Sequence, residues 1–394
     1  MLMGERIVPL RLSHVETMIA MPFEARPVPA TVRERRPARL VLEELVLDAL
    51  VGPGPTYVLF SGGRDSSAVL AVAAHVARRE GLPLPIPVIA RHPLSPESEE
   101  GAWQEMVLEH VSIHDPLILE FRGEQSVLGE IARASITRHG LLWPAAVHIQ
   151  SAILRHLDGG VLLTGEGGDF VMDGLRIADV RLPFHGGRPR RWEVRFALEA
   201  MRPRSLPFAF KHSVVTPAWL TPRGSALYAS ALKLNVNGRF WWGQQVRHAF
   251  DLPYVVVGEA ARESVIADHG LTHHPLFSHP RFVAALAREG GPFGFGGRAE
   301  AFARLVGDLL PDALINRATK AAFNSTRSGP DEVAFARDWD GSGIDAELVD
   351  HEALRRTWLG LGWHSGAAYL LQVAWRAQCG TAAEVSSPAE GFVR

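Results

Sequence analysis

The chain has a single cysteine, Cys379, in 394 residues. That excludes an internal disulfide framework and any multi-cysteine metal site. No apolar run approaches the ~18 residues that a membrane span requires. Met1 to Leu10 lack the ~7–15-residue apolar core of a signal peptide. Together these absences predict a soluble, cytoplasmic protein with no membrane partner. Charge of one sign is also missing: 41 basic residues face 43 acidic ones, a net charge of −2. Such a balance recommends no nucleic-acid partner. Lysine is the scarcest charged residue. Lys211, Lys233 and Lys320 are the only three, which leaves 38 of the 41 basic residues as arginine. A GC-rich coding bias accounts for the skew. Where that bias runs against lysine, a retained lysine marks a place for a compact point charge.

What is present is a core-forming sequence, 47% hydrophobic, with a clear α/β rhythm in its first half. Residues 1–37 are rich in Arg and Pro and read as an irregular arm or a short strand pair. Ala38 to Val51 carries apolar residues at helical spacing. Tyr57–Phe60, Ile86–Ala90, Leu117–Phe121 and Gly160–Thr164 read as buried strands. The helical segments between them are Asp65–Glu80, Pro96–His110, Gln125–Arg138 and Ala145–Leu157. Strands alternating with helices imply an α/β fold with a doubly wound parallel sheet. Ligands bind such sheets at the carboxyl ends of the strands. From Asp179 onward strand signals fade, and a mostly helical half is expected. The expected division is an arm at 1–37, an α/β core at 38–178, a helical region at 179–380 and a flexible tail at 381–394. His273 and His274 read as loop residues, with contact to substrate as the alternative.

Two glycine-rich loops fall at strand ends. The first is Ser61-Gly62-Gly63-Arg64-Asp65-Ser66-Ser67. Its glycines let main-chain N–H groups approach an anion closely, and the following helix aims its positive end at the same place. Ser61, Ser66 and Ser67 add hydroxyls. Asp65 would repel a polyphosphate unless a cation lay between them, which implies Mg²⁺. No Gly-Lys-Ser/Thr follows, so this is not a Walker A loop. The plain alternative is a glycine turn that caps a helix. The second loop, Thr164-Gly165-Glu166-Gly167-Gly168-Asp169, follows the fourth strand.

The first loop resembles the pyrophosphatase (PP) loop of the N-type ATP pyrophosphatases, enzymes of adenine nucleotide α-hydrolase-like fold. The second resembles the Ser-Gly-x-Gly-x-Asp-Glu segment of the asparagine synthetase superfamily, whose relatives include β-lactam synthetases and lasso-peptide cyclases. Thr164 keeps the hydroxyl of the usual Ser, while Phe170 departs from the usual acid. Further on, Leu310-Pro311 and Arg317-Ala318-Thr319-Lys320-Ala321-Ala322-Phe323 are similar to the family's Leu-Pro … Arg-x-Lys-x-x-Phe stretch, with one extra residue between Arg and Lys. His274 to Arg281 looks like its Pro-Phe-Leu-Asp-x-Arg segment, with Ser278 in place of Asp. The superfamily's glutaminase domain has a Cys directly after Met1. Leu2 stands there, and the arm is too short for that domain.

The resemblance implies an ATP-dependent, AMP-forming amide ligase. A carboxylate is adenylated with loss of pyrophosphate, and an amine or ammonia then takes the acyl group. It assigns pyrophosphate to Ser61, Gly62, Gly63, Ser66 and Ser67, and Mg²⁺ to Asp65 and Asp169. Leu59, Ile89, Thr164 and Gly165 would line the adenine and ribose, largely through backbone groups. Glu166 would be the base for the attacking amine, and Lys320 would stabilise charge at the α-phosphate. The expected partners are a small-molecule or peptide carboxylate, an amine donor, and a carrier or separate nitrogen-supplying protein. The setting expected is natural-product biosynthesis. The competing readings are a degenerate partner-binding homologue and a tRNA-modifying PP-loop enzyme.

Overall fold

A computed structural model describes residues 10–25, 32–173, 180, 190–201, 216–235, 239–319, 321, 323, 325–360 and 365–385. Five strands form its sheet: β1 (Thr56–Leu59), β2 (Ile86–Arg91), β3 (Leu117–Glu120), β4 (Gly160–Thr164) and β5 (Leu271–Pro275). Their spatial order is β3-β2-β1-β4-β5, and every neighbouring pair is parallel.

Side chains alternate across a strand, so each strand feeds two cores. Val58, Phe60, Ile89, Val161 and Leu163 face one apolar layer. Tyr57, Val88 and Leu162 face the other. Helices α1 (Ala38–Leu50), α2 (Arg64–Glu80) and α3 (Gly101–His110) cover the first layer. The connection from β3 to β4, with Val147 and Leu154, covers the second, as does α4 (Pro253–Ala267), with Ala261 and Val265. The winding therefore reverses between β1 and β4, the adjacent strands that carry the two glycine loops. Helices α5 (Pro280–Gly290) and α6 (Arg298–Val306) return to the first face.

A third core joins the arm to the C-terminal helices, uniting Met18, Ile19, Trp219, Trp339, Trp358 and Leu370. It draws on both ends of the described chain. The arm contains no strand pair among its described residues. It forms a short helix, His14–Met18, because Ser13 and Glu16 make a reciprocal capping box. Buried Glu16 also accepts the backbone N–H groups of Phe23 and Glu24, at 2.6 and 2.8 Å. At the other end α7 (Ser365–Val385) continues past the expected start of the tail. The half expected to be mostly helical also contributes one strand, β5. In Leu271-Thr-His-His-Pro275 only Leu271 is both apolar and buried, and three of the other four residues are polar. An edge strand of this kind shows neither alternation nor an apolar run.

Candidate active site

The two loops meet where β1 and β4 lie side by side. Gly165 packs so closely on the first turn of α2 that a Cβ there would stand 2.6 Å from the Ser66 nitrogen. At Gly168 a Cβ would stand 2.1 Å from Asp65 Oδ1. Only glycine allows this approach, which makes the loops one surface. Arg298, in the first turn of α6, ties them from above. Its Nη2 lies 2.5 Å from Asp65 Oδ2, and its Nη1 lies 2.6 Å from Asp169 Oδ1 and 3.4 Å from Asp173 Oδ1. Burial and the Arg298 charge act in opposite directions on Asp173, and burial wins, so its pKa is raised.

The hydroxyls of the first loop are spent mainly on its shape. Ser66 Oγ lies 3.1 Å from Ser61 Oγ and donates to the Gly63 carbonyl at 3.2 Å. Ser67 is fully buried, and its hydroxyl has no partner among the described residues. Ser61 is exposed. An anion would thus meet the Ser61 hydroxyl and the loop's main-chain N–H groups. Leu59 is half-buried at the end of β1, whereas Ile89 is 1% exposed within the core. The Ile89 side chain therefore supports the strand, which leaves its backbone as the part available to a nucleotide.

Thr164 ends a relay that the sequence did not reveal. Its hydroxyl lies 2.9 Å from His273 Nε2, and His273 Nδ1 lies 2.5 Å from Glu263 Oε1. A ring proton on Nδ1, facing the Glu263 carboxyl, leaves Nε2 to accept the Thr164 proton. The Thr164 oxygen is left to act as an acceptor. His273, expected in a loop, is a fully enclosed residue of β5.

Glu166 sits beside this relay. Its Oε2 is turned inward to 2.6 Å from Arg262 Nε, and the side chain remains 39% exposed through its other atoms. Arg262 also holds Glu259 at 2.8 Å. Burial raises the Glu166 carboxyl above its usual range, and the Arg262 charge only partly offsets this. A base must be deprotonated to act. Activity that depends on Glu166 should therefore rise with pH through this raised pKa. Arg262→Gln removes the cation that lowers it, so the acidic limb of the kcat/KM profile should move to higher pH. An unmoved limb would remove Glu166 from the rate equation.

Lys320 lies outside the described residues, but the segment on either side of it is fixed to the first loop. Arg317 is buried and forks onto buried Glu100, with one arm at 2.5 Å. It also donates to the Gly62 carbonyl at 3.3 Å and lies 4.7 Å above the Trp103 ring. Beyond Lys320, the Ala321 N–H donates to the same Glu100 at 3.0 Å. Removing one member of a buried ion pair strands the other charge, at a cost of about 3–5 kcal/mol. Arg317→Met should lower unfolding free energy by that order in urea titrations. The paired change with Glu100→Leu should recover part of the loss.

Phe170, the departure from the family acid, packs against Phe250 and Tyr254, with ring centres 5.9 and 6.1 Å away. Ser278 turns its hydroxyl to the Pro275 carbonyl at 3.3 Å. Neither residue disturbs the loop junction.

Two glycine loops converging at the switch point of a parallel, doubly wound sheet define an α/β protein of nucleotide-binding type. Residues 38–268, more than half of the chain, match the family model for asparagine synthase. The chain belongs to the asparagine synthase family, ATP-dependent carbon–nitrogen ligases that amidate by way of adenylation. Both loops lie inside the matched region, and the Arg317–Phe323 stretch lies beyond it. No curated protein matches the chain. No helix among the described residues is long and apolar enough to cross a membrane.

Proposed function

We propose that the protein adenylates a substrate carboxylate at the α-phosphate of ATP, releases pyrophosphate and passes the acyl group to an amine or ammonia. The observation that carries this reading is the junction of the two loops, where Gly165 and Gly168 lie against Asp65 and Ser66. That junction brings the first loop, the Asp65 and Asp169 carboxylates and Glu166 to the carboxyl ends of the neighbouring strands β1 and β4, which supports binding of the ATP phosphates there.

Asp65 and Asp169 fit Mg²⁺. Both are hard oxygen donors, and they already converge on one cationic group, Arg298. The ion would neutralise charge on the phosphates. The rest falls to the chain itself. The first loop holds the leaving pyrophosphate through main-chain N–H groups and Ser61. Leu59, Thr164 and Gly165 flank the nucleoside, with Thr164 accepting a hydrogen bond. Lys320 answers the charge that develops at the α-phosphate. Glu166 takes the proton of the attacking amine. The substrates we favour are a specialised-metabolite or peptide carboxylate and a free or protein-delivered amine. The product nucleotide tests this directly. Phosphorus NMR of the protein with Mg²⁺, ATP, ammonium and a pool of carboxylates should show AMP and pyrophosphate. ADP and phosphate would refute adenylation.

A further inference from the structure

Arg298 stands where three carboxylates meet. It reaches Asp65, Asp169 and Asp173 at 2.5, 2.6 and 3.4 Å. Its side chain is 15% exposed and lies 5.5 Å over the Phe302 ring, which fixes the fork in place. The Asp65 and Asp169 oxygens it holds belong to the two residues proposed above as ligands of Mg²⁺, and the inference rests on that reading. A guanidinium and a divalent ion cannot both sit against the same carboxylates without strong repulsion. We infer that Arg298 competes with the divalent metal for Asp65 and Asp169, so that metal binds well only when a phosphate chain gives Arg298 another partner.

The exchange balances in charge. Arg298 leaves carboxylates for phosphate oxygens, which its planar fork matches equally well. Asp65 and Asp169, released by Arg298, would then be free to hold the metal, which would supply neutralising charge beside the phosphates. Arg64, close enough to feel the charges of Arg298 and Asp65, adds a second cation that disfavours metal alone. The coupling is reciprocal: what phosphate gains from metal, metal gains from phosphate.

The test is a Mn²⁺ titration of the full chain, read by electron paramagnetic resonance, alone and with α,β-methylene-ATP. The wild type should bind Mn²⁺ weakly alone and far more tightly with the analogue. Arg298→Gln should bind Mn²⁺ alone at least about tenfold more tightly than wild type, the scale of relieving one near-surface charge contact. Arg298→Lys, which keeps a charge, should fall near wild type. Should Arg298→Gln fail to fold, the wild type still decides, because equal Mn²⁺ affinity with and without the analogue overturns the proposal. A folded Arg298→Gln with no gain overturns it as well. Asp65→Asn separates the ligand assignment from the competition. If it leaves analogue-dependent Mn²⁺ binding intact, the ligand assignment itself is wrong. If it abolishes that binding while Arg298→Gln gains nothing, only the competition fails.

Discussion

Glu166→Gln should leave pyrophosphate exchange close to the wild-type rate and slow amide formation by about 10²–10⁴-fold, the usual contribution of a positioned base. The two half-reactions differ in what they ask of a side chain. Adenylation needs charge neutralisation at the phosphates and no proton acceptor. Acyl transfer does need one, because an ammonium ion has no lone pair with which to attack. The surroundings of Glu166 suit the proposed role in the later step. Arg262 fixes its inner oxygen at 2.6 Å, and burial lifts its proton affinity. Gln keeps the volume and a hydrogen bond to its surroundings, so the cleft should persist. Quench-flow measurement of acyl-adenylate and amide separates the steps. Equal loss in both would make Glu166 a structural residue of the loop, and no loss in either would remove it from the chemistry.

Asp65→Asn should have the largest effect on the first half-reaction, lowering exchange by at least about 10²–10³-fold, the scale of losing one group that stabilises developing charge. The substitution is isosteric, so Gly168 and Gly165 still close on the loop. What changes is the charge that Arg298 holds and that the proposed Mg²⁺ would need. Added Mg²⁺ should recover part of the rate, as expected when affinity for the ion is the damaged quantity. A variant that keeps full exchange would show that Asp65 holds no metal and serves only Arg298.

The parts of this site that were legible in the sequence are those whose chemistry fixes residue types at fixed spacing. Ser61 to Ser67 and Thr164 to Asp169 each need glycines for close approach and oxygens for an ion. The fold puts them side by side on β1 and β4, as a doubly wound order requires. The strands that carry them were legible because burial on both faces demands apolar runs. β5 was not. Thr272, His273 and His274 are polar, and the strand lies at the sheet edge with Leu271 as its one buried apolar residue. The Thr164–His273–Glu263 relay was hidden with it. Arg298 was invisible for a different reason: among 38 arginines, no single arginine stands out, and its role depends on three aspartates brought near by folding. For Ile89 the strand was legible but the facing of its side chain was not, because on a strand one residue decides which face a side chain meets, and Ile89 faces the core.

Adenylation by this chain meets its most direct test in isotope exchange. Labelled pyrophosphate is incubated with the protein, ATP and Mg²⁺, and carboxylate pools are added in turn. Label should enter ATP only when the pool contains the substrate, and no amine should be needed. Absence of exchange with every pool, together with absence of ATP binding by calorimetry, would contradict the account.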